Sequence, residues 1–204
     1  LCREVGAEPF LTINAVWNTP EESANWVEYC NGSEDTKYGK IRAERGHKEP
    51  YNVRFWSLGN EMGYVHMEGP SGPAGYAEMA GKHADAMLKV SPDLEMWSSG
   101  PYPNDDWAKL SAAALSDRVK YVSQHNYSSP EHDFCGCSYK YTTPEEIEST
   151  YNAIVRSCFN NLELARRMRT SLDGTGKELH ISFDEWNQWF SWYRPSCVGE
   201  GIFT

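Results

Sequence analysis

Short apolar runs alternate with longer amphipathic segments along this chain, and this alternation limits the folds open to it more than any single motif does. Five runs have the length and apolar content of buried strands: PFLTINAVW at 9–17, YNVRFWSLGNE at 51–61, LEMWSSG at 94–100, KYVSQHNYS at 120–128 and ELHISFDEWN at 178–187. No turn pair typical of a β-hairpin separates them. Successive strands should therefore run parallel and be joined by right-handed crossovers.

The crossovers should be helices. The segments between the runs predict four of them, at 19–32, 74–90, 105–119 and 143–172. The first has clear boundary signals, because Thr19 can cap its amino end, Pro20 and Glu22 suit its first turn, and Gly32 follows its last residue. The chain therefore consists of a repeated strand and helix unit.

Parallel strands with helical crossovers form either an open doubly wound sheet or a (β/α)8 barrel. An open nucleotide-binding sheet normally has a glycine-rich turn after an early strand, and neither G-x-G-x-x-G nor a P-loop pattern occurs in this sequence. The prediction is an α/β fold, a partial (β/α)8 TIM barrel. Because such a barrel needs eight strands and five are visible, we expect residues 1–204 to be a fragment of a single barrel domain, with strands missing before Leu1 and after Thr204.

Composition excludes several classes of partner. The 204 residues carry a formal net charge of −10 with no lysine- or arginine-rich run, which argues against nucleic acid or an anionic membrane surface. No window is apolar over the length of a membrane span, and no signal peptide is visible. Eight tryptophans and twelve tyrosines suit a neutral sugar ligand that packs on aromatic rings, although most such residues fill cores.

Cysteine and histidine placement gives no support for a metal or a cofactor, and we expect neither. The six cysteines lack the spacing of a secreted disulfide scaffold, which favours reduced thiols and a cytoplasmic location. Cys135 and Cys137 form a CGC pair without a second pair at zinc-site spacing. His66 and Glu68 have no third ligand in their loop, and we interpret them as loop residues that could contact the substrate.

In a (β/α)8 barrel the chemistry lies at the carboxyl ends of the strands, so polar residues there are candidate site residues. Two of these ends are acidic: Asn60 and Glu61 close the second predicted strand, and Asp184 and Glu185 lie near the end of the fifth. The other ends carry Asn14 and Trp17, Ser98 and Ser99, and His125 and Tyr127. The two acidic ends are the strongest candidates for a catalytic pair.

Glu61 and Glu185 could together break a glycosidic bond. That reaction needs one carboxylic acid to protonate the leaving oxygen and one carboxylate to attack or stabilise the anomeric carbon. Carboxyl groups about 5–5.5 Å apart indicate a covalent intermediate and retention, whereas about 6.5–9.5 Å leaves room for a water and indicates inversion. The sequence does not set this distance.

Two stretches, WSLGNEMG and ISFDEWNQW, resemble the signature segments of family 51 glycoside hydrolases, chiefly α-L-arabinofuranosidases. NWVEYCNG, IRAERGHKEPYNVRFWSLGNE and HNYS resemble further segments of the family in the same order, from about Asn14 to Trp189. The resemblance implies that the visible strands are the third to the seventh of the barrel. It also implies that the first two strands, the eighth strand and any C-terminal β domain lie outside residues 1–204.

By the same resemblance, Glu61 is the acid/base and Glu185 is the nucleophile. Asn60 is implied to bond the sugar 2-hydroxyl, an interaction that strengthens in the transition state. His125 and Tyr127 are implied to line the site, with the tyrosine hydroxyl keeping the nucleophile ionised.

Three further residues are candidates for substrate binding. Trp189 resembles an aromatic wall of the family's sugar pocket, and Asn14 and Trp17 end the first visible strand. Trp17 could equally be a core filler, and His125 taken alone could be a hydrogen-bonded core histidine. Alternation along the last strand gives Asp184 a supporting role beside the nucleophile.

The resemblance implies a retaining glycoside hydrolase that removes terminal α-L-arabinofuranosyl residues from plant-type polysaccharides or oligosaccharides by double displacement. The loop GYVHMEGPSGP at 63–73 departs from the family's usual DGPWQ-like continuation, so a related activity on a β-xyloside or a β-glucan stays open. A non-catalytic carbohydrate-binding barrel also stays open, although retention of both glutamates argues against it. The expected partner is an arabinose-containing glycan, and the full-length protein could be a homo-oligomer.

Overall fold

The computed structural model describes residues 1–64, 72–100, 105–115, 117–128 and 143–188. In these parts of the chain the sheet has five strands: β1 Phe10–Thr12, β2 Phe55–Ser57, β3 Glu95–Ser98, β4 Tyr121–Ser128 and β5 His180–Gln188. The helices are α1 Cys2–Val5, α2 Pro20–Asn31, α3 Lys37–Glu44, α4 Gly72–Val90, α5 Asp105–Leu115 and α6 Pro144–Asp173. A short 3-10 turn at Met62–Tyr64 follows β2.

All five strands run parallel and pair in chain order, from β1 at one edge to β5 at the other. The sheet curls into a half-barrel, and the helices cover its outer face. The predicted α/β fold, a partial (β/α)8 barrel, is thus confirmed, and every predicted strand is present. β1 and β2 are shorter than the apolar runs that predict them, because each run continues past the strand into the loop at its carboxyl end.

Two helices begin with the capping chemistry that their sequences specify. The Thr19 side chain accepts a hydrogen bond from the Glu22 backbone N–H, and the Glu22 carboxylate accepts one from the Thr19 N–H in return. Thr143 and Glu146 repeat this box at the start of α6, again with a proline in the first turn. A cap of this kind contributes about 1 kcal/mol, so it fixes where each crossover helix begins.

α3 is a helix that the hydrophobic pattern does not predict. Its eight residues have little amphipathic character, and its buried positions are a glycine and Arg42. The fully buried guanidinium of Arg42 donates to the backbone oxygens of Tyr29, His47 and Lys48 at 2.8–3.0 Å. Polar contacts of one side chain therefore anchor this helix, and they leave no trace in the periodicity of apolar residues.

The core lies between the outer face of the sheet and the helices. Trp56, Met96 and Val122, one from each of the three central strands, are fully buried in it. The helices contribute Tyr76, Ala80, Ala84, Met87, Leu115, Met168 and Leu172. α4 packs against both α2 and α5, and the buried His83 of α4 bonds Ser23 of α2 through Nδ1 and Oγ at 2.8 Å.

The inner face of the half-barrel carries an aromatic row near the amino ends of the strands. Its members are Phe10, Phe55, Trp97, Tyr121 and His180, and contacting rings lie 4.0–5.6 Å apart between centroids. Trp97 and Tyr121 stack with an interplanar angle of 13°. The inner face is therefore aromatic at one end, and its polar residues collect at the other, carboxyl end.

Candidate active site

The chain turns sharply after β2, and this turn carries Glu61. Gly59 has a φ of 100°, and Glu61 has a φ of 47°, a left-handed conformation that is uncommon outside glycine. The Met62 backbone N–H donates to Ser99 Oγ at 3.2 Å, and the buried Tyr76 hydroxyl bridges the ends of β2 and β3. Strained backbone of this kind costs about 1–3 kcal/mol and clusters at functional sites. The surrounding contacts hold the strained turn and aim the Glu61 carboxylate along the carboxyl end of the sheet.

β4 and β5 pair with one irregularity, which lies at the site. Gln124 pairs with Phe183 and His125 pairs with Glu185, so Asp184 is an extra residue on β5. Such a β-bulge is rare in parallel sheets and is often found next to active sites. With this bulge, the carboxylates of both Asp184 and Glu185 lie beside His125. The simple alternation expected from the sequence is therefore wrong at this point, because the bulge interrupts it.

His125 lies at the centre of the site and its side chain is 2% exposed. Its Nδ1 atom is 2.9 Å from Glu61 Oε1 and 3.4 Å from Glu185 Oε2. The two glutamate side chains are more open, with 36% and 33% of their surface exposed. One buried imidazole thus joins both strand-end glutamates while their carboxylates stay accessible to a ligand.

The other ring nitrogen of His125 has polar neighbours as well. Nε2 lies 3.0 Å from Ser123 Oγ and 3.4 Å from Asp184 Oδ1. The Ser123 hydroxyl donates to the same Asp184 oxygen at 2.9 Å, and Ser182 Oγ lies 3.4 Å from the second carboxylate oxygen. Carboxylates therefore approach the imidazole at both of its nitrogens.

These surroundings determine the charge of the imidazole. Burial alone would lower the pKa of His125, but hydrogen bonds to Asp184 and Glu61 and the negative charges of Glu185 and Asp184 outweigh it and raise that pKa to about 9. The ring is thus a cation at neutral pH, with a proton on each nitrogen.

Tyr127 lies two residues beyond His125 on the same face of β4, and its hydroxyl donates to Glu185 Oε2 at 2.9 Å. Burial, the hydrogen bond to Glu185 and the charges of Glu185 and Glu61 raise the pKa of Tyr127 to about 12. The phenol therefore remains protonated and can act as a donor to the Glu185 carboxylate throughout the neutral range.

Glu61, His125 and Glu185 each present one ligand atom, and these atoms lie within 4.8 Å of one another. A set of two carboxylates and one imidazole could hold a divalent ion. The ion would have to displace the Nδ1 proton of His125, which points at the carboxylates. The short separation between Glu61 and Glu185 also allows both carboxylates to act on one substrate without a metal.

The remaining predicted site residues differ in how the structure places them. Asn60 is exposed beside Glu61. Asn14 Oδ1 accepts a hydrogen bond from the Trp17 backbone N–H at 3.2 Å, which closes a turn after β1. The Trp17 residue is 83% exposed among the described residues. Substrate binding by Asn14, Trp17 and Asn60 stays a prediction.

Several predictions fall on parts of the chain outside the described residues. They concern Trp189, His66, Glu68, Cys135 and Cys137. Of the cysteines whose side chains the structure describes, Cys2 is partly buried and Cys30 is buried, and both are free thiols.

The sequence interpretation missed Ser123 and gave Asp184 no specific contact. The available signal for Ser123 was its spacing from His125 and Tyr127, because residues two apart on a strand share one face. No comparable signal existed for Asp184, whose contact with Nε2 depends on the register between two strands that are far apart in the sequence.

Glu61 and Glu185 lie at the carboxyl ends of parallel strands, with one oxygen of each within 4.8 Å of the other, which is the end of a (β/α)8 barrel where active sites are found. The family model described as "Alpha-L-arabinofuranosidase 1 domain" matches residues 1–146, a range that includes Glu61 and His125. The chain belongs to this family, the α-L-arabinofuranosidases of glycoside hydrolase family 51.

Relatives of known name agree with this assignment. The chain is 28% identical over 195 residues to a protein of Acetivibrio thermocellus named intracellular exo-α-(1→5)-L-arabinofuranosidase, covering 93% of this chain and 37% of the relative. It is 31% identical over 205 residues to a protein of Aspergillus niger named probable α-L-arabinofuranosidase C, covering 92% of this chain and 38% of the relative. The chain therefore spans less than half the length of these relatives.

Solved structures show the same relationship. The α-L-arabinofuranosidase from Thermotoga maritima, in a complex with arabinose, is 29% identical with a TM-score of 0.71, covering 99% of this chain and 40% of that one. The family 51 arabinofuranosidase from Xanthomonas axonopodis pv. citri has a TM-score of 0.79 at 18% identity, covering 97% of this chain and 40% of that one, which shows a likeness of fold. Within the described residues, no helix has both the length and the apolar character of a membrane span.

Proposed function

We propose that the protein containing this chain is a retaining glycoside hydrolase that releases terminal α-L-arabinofuranosyl residues from oligosaccharides or polysaccharides. The main support is the short separation of the two carboxylates, since one oxygen of Glu61 and one oxygen of Glu185 lie within 4.8 Å. This is nearer to the spacing of about 5–5.5 Å in retaining enzymes than to the spacing of about 6.5–9.5 Å in inverting enzymes, which supports a retaining mechanism. The names of the relatives support the choice of sugar.

In the first step, the Glu185 carboxylate attacks the anomeric carbon while Glu61, as a carboxylic acid, gives its proton to the glycosidic oxygen. The bond between that carbon and the leaving oxygen breaks, and a glycosyl ester forms on Glu185. Tyr127 binds Glu185 Oε2, which orients the carboxylate and leaves Oε1 for the attack.

In the second step, Glu61 is a carboxylate and takes a proton from water as the water oxygen attacks the anomeric carbon. The ester bond breaks, the sugar leaves with its configuration retained, and Glu61 is again an acid. Because His125 Nδ1 bonds Glu61 Oε1, the other oxygen of this carboxyl group is the one that exchanges protons with the substrate and water.

Substrate contacts form part of the same proposal. Asn60 precedes Glu61 at the end of β2 and is exposed, which supports a hydrogen bond to the sugar 2-hydroxyl. Asn14 and Trp17 follow the neighbouring strand β1, and the exposed Trp17 ring is free to pack on a sugar face. For Trp189 the support is the family resemblance.

We also propose that residues 1–204 supply the third to seventh strands of one (β/α)8 catalytic domain. The support is that the chain covers 37–40% of several relatives while containing both glutamates. A cytoplasmic location is supported by relatives in Acetivibrio thermocellus and Streptomyces lividans that are named intracellular. Assembly as a homo-oligomer stays a prediction.

The test is hydrolysis of 4-nitrophenyl α-L-arabinofuranoside by the full-length protein, with the β-xyloside and β-glucoside assayed in parallel. We expect turnover of the arabinofuranoside, with loss of several orders of magnitude in Glu185→Gln and none in Glu178→Gln, a matched change at an exposed position before β5. Glu61→Gln should lose less on this substrate than on an arabinose disaccharide, because nitrophenolate leaves without an acid.

Other outcomes decide between the alternatives. Turnover of the β-xyloside or β-glucoside in place of the arabinofuranoside would contradict the proposed sugar and preserve the mechanism. Binding of an arabinan oligosaccharide without turnover, unchanged in Glu185→Gln, would contradict the enzyme and favour a carbohydrate-binding barrel.

A further inference from the structure

We propose that Ser123 and Asp184 form a positioning pair, which keeps a proton on Nε2 of His125 and turns Nδ1 toward Glu61 and Glu185. The inference rests on the proposed function and gives a role in it to two residues that have none in the steps above. Neither side chain is expected to touch the substrate, so both would act through His125.

Only one arrangement of hydrogen atoms satisfies the donors and acceptors around Nε2 of His125. A serine hydroxyl has a single hydrogen, and that of Ser123 is donated to Asp184 Oδ1 at 2.9 Å. The Ser123 oxygen, 3.0 Å from Nε2, must then accept a hydrogen from the imidazole. Nε2 of His125 therefore carries a proton regardless of the state of Nδ1.

The same contacts fix the orientation of the ring. A rotation that exchanges the two edges of the imidazole would place carbon atoms against Ser123 and against Glu61, and would break the bonds at both nitrogens. Water cannot replace these bonds, because His125 is 2% exposed. The pair thus selects the orientation in which Nδ1 faces the two glutamates.

The bulge adds Asp184 to the site without displacing Glu185. Phe183 pairs with Gln124 before the extra residue, and Glu185 pairs with His125 after it. Without Asp184 these two pairs would be consecutive and the ladder would be regular, so such a strand would still place Glu185 beside His125. The effect of the bulge is therefore to bring one more carboxylate to the site, at the far side of the imidazole.

The positioning pair separates the two protons of His125. Asp184 and Ser123 face Nε2, while Glu61 from the turn after β2 and Glu185 from β5 face Nδ1. With the Nε2 proton held, only the hydrogen bond from Nδ1 to Glu61 can respond as Glu61 changes from acid to base. Without Ser123 and Asp184, the His125 ring would exchange between two orientations and between protonation states. Glu61 would then lose its fixed hydrogen-bond donor.

Kinetics of full-length variants test the pair. Asp184→Ala should lower kcat on 4-nitrophenyl α-L-arabinofuranoside about 10- to 100-fold with little change in KM, the range of losses found when a metal-binding histidine loses its orienting partner. Asp184→Asn should lose less, because its amide oxygen still accepts from Ser123. Ser123→Ala should lower kcat, and Ser123→Thr, which keeps the hydroxyl, should restore it.

NMR of histidine-labelled protein provides a readout independent of activity. In the wild type, the Nε2 proton of His125 should give a slowly exchanging signal, which Asp184→Ala should abolish. Ser111→Ala and Asp85→Asn make similar changes in α5 and on α4 away from the site, and should preserve both kcat and the signal.

An unchanged Nε2 signal and a kcat within twofold of wild type in Asp184→Ala would overturn the positioning pair. If Asp184→Ala does not fold, Asp184→Asn and Ser123→Ala decide on the same two readouts. A wild type that is inactive on every glycoside would contradict the proposed function, while the NMR signal would still decide the role of the pair.

Discussion

Tyr127→Phe removes one hydroxyl group and leaves the ring, so it removes the hydrogen bond to Glu185 Oε2 at 2.9 Å. A hydrogen bond to a charged group contributes about 1.5–3 kcal/mol. In the proposed mechanism, negative charge returns to Glu185 when the glycosyl ester is hydrolysed, so the bond should stabilise the transition state of the second step. At about 1.4 kcal/mol per factor of ten, its loss should slow that step about 10- to 150-fold.

The assay is rapid-mixing kinetics with a dinitrophenyl α-L-arabinofuranoside, whose good leaving group makes the first step fast. Tyr127→Phe should show a burst of nitrophenolate equal to the enzyme concentration, followed by slow turnover. Both kcat and KM should fall, because the glycosyl-enzyme accumulates.

Tyr121→Phe is the matched control, because Tyr121 lies on the same strand as Tyr127 and its hydroxyl also donates to a carboxylate. That carboxylate belongs to Glu95 of β3, at 3.0 Å. This bond lies in the aromatic row at the amino end of the sheet, and its loss should leave kcat within twofold of wild type. Equal losses in both variants, or a Tyr127→Phe enzyme without a burst, would refute the assignment of Tyr127 to the nucleophile.

Two further predictions concern stability. Arg42→Met leaves three backbone oxygens without their buried donor and should lower the free energy of unfolding by about 3–5 kcal/mol in urea titrations. Arg45→Met, at an exposed position, should lower it by less than about 1 kcal/mol. Similar losses in the two variants would contradict the role given to Arg42. Burial lowers the pKa of His83, so its contribution to stability is present above an unfolded pKa of about 6.5 and is lost as the pH falls below that value. The pKa of His125 is raised to about 9, so its contribution is complete below about pH 6.5 and is lost as the pH rises through 9. Urea midpoints should therefore be highest near about pH 6.5 and decline at lower and at higher pH. A His83→Gln variant whose midpoint declines as steeply in acid as that of wild type would contradict the role of His83.

The order of strands and helices could be predicted from the sequence because it depends on local signals. Apolar runs and the cap at Thr19 each act within a few residues, and the structure places elements where these signals lie. The two acidic strand ends followed from the same reasoning, since the ends of parallel strands share one edge of a sheet.

The missed features depend on contacts between distant parts of the chain. α3 is anchored by Arg42 through carbonyl oxygens of α2 and of the loop after α3, a contact that no apolar pattern encodes. The position of Asp184 depends on the pairing of β4 with β5, which are joined through a long helix. A period of two along one strand gives no sign of where its partner skips a residue.

The bulge in β5 also affects how relatives of this chain should be aligned. The register of the pairs on either side of Asp184 differs by one residue, so in genetic terms Asp184 behaves as an insertion of one codon rather than as a replacement. A lineage could gain or lose it while every flanking residue, Glu185 included, kept its place. An alignment that permits no gap inside this strand would match Asp184 with the nucleophile of a relative lacking the bulge, and would mark an intact enzyme as one whose catalytic glutamate had been replaced.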